Sequence, residues 1–125
     1  MEPFASPNNL DPRLRSFLQD SCSQLCDWFA ETEKLSPLPD FTILPDIPPE
    51  LEGLSTDRLL GDLQIIMDSS YRPSHPGSLA HLDPPPLTSS IVADLICAGL
   101  NNNLLAYELS PGLTKLEQKL CKWMA

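Results

Sequence analysis

At 125 residues the chain has the length of one modest domain and is short for a self-contained cofactor-dependent enzyme. Its formal charge of −9 argues against nucleic acid, because duplex binding rests on clustered Lys and Arg, and no apolar run nears the roughly 20 residues of a membrane span. With 14 prolines against 5 glycines, it is equipped for pinned loops and poor in the turns that cradle phosphates.

The N-terminal stretch MEPFASPNNL is neither a signal peptide nor a basic amphipathic leader, so a soluble, cytoplasmic protein is expected. A first helix is predicted from Asp11-Pro12, an N-cap residue followed by a proline suited to the first helical position. Leu14, Phe17, Leu18, Ser21, Cys22, Leu25, Trp28 and Phe29 recur on it at helical spacing as a broad apolar stripe. Such a stripe needs a cover, either the chain's own core or a second copy. From Leu35 to Gly53 five prolines forbid a continuous helix or a central strand. The segment reads as an extended crossing whose anchors are Phe41, Ile43, Leu44 and Ile47. It lacks the flanking basic residue that an SH3-type ligand would carry.

A second helix is predicted from Ser55 as cap, with Leu59, Leu60, Leu63, Ile66 and Met67 as its apolar face, ending before Tyr71-Arg72-Pro73. The segment Ser74 to Ser90, SHPGSLAHLDPPPLTSS, then places a His-Pro turn, a short apolar strip and a triple proline in tight succession. Thr88-Ser89-Ser90 opens a third helix, IVADLICAGL, apolar nearly all round and so expected at a subunit or domain interface. Asn101-Asn102-Asn103 ends it through the left-handed cap conformation. Ser110-Pro111 starts a fourth helix, with Leu113, Leu116, Leu120 and Trp123 on one side and Lys115, Lys119 and Lys122 outside. The four cysteines lie within helical patterns and read as buried free thiols. Cys22 and Cys26 could form one edge of a metal site, but zinc needs about four ligands, so no metal is expected.

From Tyr71 to Met124 the sequence resembles the N-terminal region of the group II pyridoxal-phosphate-dependent amino-acid decarboxylases, the family of glutamate, aromatic amino-acid and diaminobutyrate decarboxylases. The resemblance is carried by His75-Pro76, the strip Leu79-Ala80-His81-Leu82, the Ile91 to Leu100 helix and NLLAYELSPGLTKLEQKLCKWM. The AHLDPPP form is most similar to the diaminobutyrate-type bacterial branch. The resemblance implies a mostly α fold, the N-terminal helical segment of a fold type I decarboxylase with four or so helices joined by a Pro-rich linker. Residues 1–54 would hold the first helix and linker, and 55–125 the start of the decarboxylase domain, truncated before the cofactor-binding large domain.

In that family the strip after the His-Pro turn reaches substrate. The resemblance therefore makes His81, Leu82, Asp83 and Pro84 the candidate substrate-binding residues. His81 would donate a hydrogen bond, or serve only as a surface loop residue. Asp83 would pair with a cationic diamino acid, or cap the turn into Pro84. His75 is expected to shape the turn. Pyridoxal 5'-phosphate belongs to the full-length family, but its Schiff-base lysine and phosphate cup find no match among Lys34, Lys115, Lys119 and Lys122. No cofactor, metal or catalytic residue is assigned to this chain alone. Two classes of function stand. One is the dimer-clasping, substrate-mouth portion of such a carboxy-lyase, whose partners are a second copy or the missing large domain and whose substrate is an amino acid. The other is a stand-alone helical interaction protein derived from the family.

Overall fold

The computed structural model describes residues 9–39, 44, 51–79 and 82–125. Four α-helices occur among them, with no strand: α1 (Pro12–Ala30), α2 (Thr56–Asp68), α3 (Thr88–Leu100) and α4 (Pro111–Met124). The mostly α architecture expected from the sequence is therefore present. The chain divides into two compact units, Met1–Pro85 and Pro86–Ala125.

Each helix in the first unit begins where the local chemistry dictates. Asp11 has extended backbone, and its carboxylate accepts from the amides of Arg13 (3.0 Å) and Leu14 (3.1 Å), with Pro12 at the first helical position. Ser55 caps α2 by accepting from the amide of Arg58 at 3.3 Å. At the other end, the Ser69 and Ser70 hydroxyls bond back to the carbonyls of Ile65 and Ile66, both at 2.7 Å, before Pro73 prevents continuation.

α1 and α2 pack against each other. The inward residues of α1 are Leu14, Phe17, Ser21, Gln24, Leu25, Trp28 and Phe29, all half-buried. Trp28 and Phe29 meet edge to face, 5.3 Å between centroids. Gln24 sits in the middle of this stripe. Its amide nitrogen donates to the carbonyl of Leu60 at 3.0 Å and to Oε1 of Gln64 at 2.7 Å, so a polar clamp joins the two helices. The predicted faces shift accordingly. Leu18 and Cys22 on α1, and Leu63 and Ile66 on α2, are exposed, while Gln64 and Ile65 turn inward. The reason is register: the Gln24–Gln64 bond fixes the rotation of α2 about its axis, and apolar residues outside that arc stay in solvent.

The crossing segment leaves α1 through a 3₁₀ turn, Thr32–Lys34, in which Thr32 is buried and its hydroxyl bonds to the Trp28 carbonyl at 3.2 Å. Of the expected anchors, Phe41, Ile43 and Ile47 lie outside the described residues. Leu44 is exposed, against expectation. Among the described residues the segment is tied through its backbone, the Pro37 carbonyl accepting from the amide of Arg72 at 3.0 Å.

In the second unit, α3 starts after Leu87 with no side-chain cap, so Thr88 enters the helix and caps nothing. It ends at Asn101, whose φ of 44° and ψ of 38° are the predicted left-handed cap, its amide donating to the Cys97 carbonyl at 3.0 Å. Asn103 then accepts from the amide of Leu105 at 2.8 Å, a local Asx turn. A 3₁₀ turn, Tyr107–Leu109, leads into Ser110 and Pro111. Ser110 is fully buried, yet its hydroxyl caps no amide; its carbonyl does the work, accepting from both the amide (3.0 Å) and hydroxyl (2.8 Å) of Thr114. α3 and α4 do not pack on one another. Val92, Leu95, Ile96 and Leu100 on α3, and Leu116, Leu120 and Trp123 on α4, are exposed.

Candidate functional site

The His-Pro turn is tied by donors that its sequence leaves available. Pro73 and Pro76 carry no amide hydrogen, so the work falls to their neighbours. The His75 amide donates to the Arg72 carbonyl at 3.1 Å, and the Ser78 amide to the His75 carbonyl at 2.9 Å. Within the same turn, the Gly77 amide donates to Nδ1 of the His75 ring at 2.8 Å. A nitrogen that accepts carries no proton, so the His75 tautomer in this bond is protonated at Nε2. Gly77 has a reason of its own: a Cβ there would lie 3.1 Å from His75 Nδ1 and 3.2 Å from Cε1. The hydroxyls of Tyr71 and Ser78 hydrogen-bond across the mouth of the turn. His75 is thus engaged in shaping the turn, as its sequence context implied.

Beneath the turn lies Arg72, with only 3% of its surface exposed. Its guanidinium stacks over the Trp28 ring, 5.1 Å from Cζ to the centroid, and Nη2 stands 3.5 Å from Oδ1 of Asp68. Arg72 Nε and Trp28 Nε1 are buried with no hydrogen-bond partner among the described residues. Sequence reasoning treated Arg72 only as part of a helix-ending tripeptide. No local signal marked it, because Arg72 lies past the end of α2 and its ring partner, Trp28, belongs to α1.

Beyond the turn the described residues of the strip, Leu79 and Leu82, are open to solvent. Leu82, Asp83 and Pro84 are all exposed, Leu82 at 99%, and Asp83 has no ion-pair or hydrogen-bond partner among the described residues. His81 lies outside the described residues. An exposed carboxylate flanked by Leu82 and Pro84 offers a cation a solvated acceptor, with no wall among the described residues to exclude water.

A cleft of about 680 Å³ lies along α1 and the end of α2, lined by Asp20, Asp27, Glu31 and Asp68 together with Trp28 and Lys34. Four carboxylates give it a negative field that repels a phosphate group. Lys34 is surface-exposed and 3.7 Å from Glu31, while Lys115, Lys119 and Lys122 stand exposed along α4. These residues do not fit pyridoxal phosphate, which needs a sheltered amine and a cup of amide or hydroxyl donors for its phosphate.

The cysteine reading needs correcting. Cys22, Cys26, Cys97 and Cys121 are free, as expected, but exposed instead of buried. No group of three or more His, Cys, Asp or Glu side chains suited to a metal occurs among the described residues. No helix among them is long and apolar enough to cross a membrane.

Over 77 residues the chain is 27% identical to an L-2,4-diaminobutyrate decarboxylase of Acinetobacter baumannii. This match supports the resemblance to the group II decarboxylases. It takes in 61% of the present chain but only 15% of the length of the Acinetobacter enzyme. No protein-family model matches the chain. The decarboxylase likeness thus concerns a small part of a much longer relative.

Proposed function

We propose that this chain serves as the N-terminal, substrate-mouth and subunit-clasping portion of a pyridoxal-phosphate-dependent amino-acid decarboxylase, and that it is inactive without the sequence carrying the cofactor. The likeness to the diaminobutyrate decarboxylase carries this reading. In it, the turn at His75 to Ser78 is the support, and His81, Leu82, Asp83 and Pro84 are the substrate edge. Asp83 gives the edge its selectivity, because an ionised carboxylate accepts hydrogen bonds only and pairs with the second ammonium of a diamino acid.

The test has two parts. The purified chain is mixed with pyridoxal phosphate and borohydride, and no lysine is expected to be trapped stoichiometrically; a stoichiometric adduct at one lysine would overturn the claim of inactivity. The chain is then combined with a polypeptide supplying the cofactor lysine, and decarboxylation of L-2,4-diaminobutyrate is measured. Asp83→Asn is expected to raise KM about tenfold or more, as for loss of a charge-assisted bond, with kcat less affected. An unchanged KM would remove Asp83 from the edge.

A second reading, a stand-alone interaction protein, draws on the exposed apolar side chains of α3 and α4. It is distinguished by the same mixture: such a protein would yield no decarboxylase with any cofactor-bearing partner.

A further inference from the structure

Among the described residues, the side chains that escape solvent are Thr32, Arg72 and Ser110, and none is apolar. Among the described residues of the first unit, the charged side chain taken most fully out of solvent is therefore a cation, Arg72. Burying a guanidinium is an expensive way to fill space, and replacing buried charges by hydrocarbon of similar volume is often neutral or stabilising. What a planar, forked cation adds over a methionine is direction: it has one orientation that stacks on an indole and meets a carboxylate at the same time.

Four segments converge on Arg72. Its side chain engages Trp28 of α1 and Asp68 of α2. Its amide holds the crossing segment at the Pro37 carbonyl, and its own carbonyl receives the His75 amide. From His75 the bonds continue to Gly77 and Ser78. A continuous series of contacts thus runs from the buried guanidinium to the point where the strip departs.

We propose that Arg72 is the positioning residue of the His-Pro turn, its clamped guanidinium setting the direction in which Pro73 to Leu79 leaves α2. The importance of that direction for the substrate edge rests on the reading given above; the positioning itself does not. Arg72 touches no reacting atom and acts through the backbone of the turn.

The experiment is amide hydrogen exchange by NMR on the full chain, compared across Arg72→Met, Arg72→Lys and, as a control, Arg58→Met, which removes an exposed pair with Asp62. Both Arg72 variants are expected to speed exchange at Gly77 and Ser78 about tenfold, while amides of α1 and α2 stay within about twofold of wild type. The Trp28 indole resonance shifts in both, and the control leaves every signal in place. Gly77→Ala, which crowds the His75 ring directly, calibrates the signature of a displaced turn without moving the Trp28 indole. Should Arg72→Met fail to fold, Asp68→Asn keeps the stacked pair and is expected to show a smaller acceleration at the same two amides. Unchanged turn amides would overturn the proposal, and so would equal acceleration in turn and helices, which marks a general packing role. Neither readout involves substrate, so a failed decarboxylase assay leaves the result standing, and a failed exchange experiment leaves that assay untouched.

Discussion

Asp11, Asn101 and Gln24 show how differently single residues declare themselves. Asp11 before Pro12 is legible because an N-cap needs only local chemistry: a short acceptor side chain facing the free amides of Arg13 and Leu14. Replacing it by Ala should cost about 1 kcal/mol, read as a lower urea midpoint with unchanged slope. Asn101 is equally local, its left-handed backbone being accessible to Asn and Gly and costly for branched side chains. Asn101→Gly is expected to be neutral or slightly stabilising, and Asn101→Val to lose about 1–2 kcal/mol, measured by thermal unfolding of α3 ellipticity. Arg72 and Gln24 were not legible, because what they do depends on partners in other segments. A buried guanidinium and a polar clamp look, in sequence, like any surface Arg and Gln.

Between elements, the starts of α1 and α2 and the stop of α3 followed from their caps, the starts of α3 and α4 carried no side-chain cap, and the faces did not follow from periodicity alone. Leu63 and Ile66 fit the apolar period of α2 yet stand exposed, since Gln24 and Gln64 fix that helix in a different rotation. This assigns the α1–α2 pair a specific dependence. Gln24→Ala and Gln64→Ala should each destabilise by about 1 kcal/mol, and the double variant by clearly less than the sum, because both lose the same bond. A strictly additive result by chemical denaturation would show that the clamp contributes nothing beyond shape. The substrate edge was legible only through the family resemblance: nothing in the spacing of Leu82, Asp83 and Pro84 points to a ligand, and among the described residues no wall encloses them.

Across the whole molecule the governing fact is composition set against length. A chain of this size with 14 prolines spends much of its length in segments that cannot pack as regular elements, so apolar side chains remain at the surface on α3 and α4. Leu116 and Leu120 are exposed on α4, and Trp123 beside them is 76% exposed. Such surface drives association by a mechanism that salt does not screen. Light scattering of the purified chain should therefore show concentration-dependent oligomers that persist at high ionic strength. Leu116→Lys combined with Leu120→Lys should return the distribution toward monomer while leaving helicity unchanged. Association that disappears at high salt would instead point to the charged faces.

The lack of any buried apolar side chain among the described residues also has a calorimetric meaning. The heat-capacity increment of unfolding comes from newly hydrated hydrocarbon, ordinarily about 12–15 cal/mol/K per residue. Here much of that hydrocarbon is already wet in the folded state, so the isolated chain should show a small increment and a stability curve that is broad and nearly flat with temperature. Its melting would be gradual, and cooling would do little to weaken it. Covering α3 and α4 with a partner should restore the missing increment, giving a sharp transition whose height reports how much surface the partner has dried.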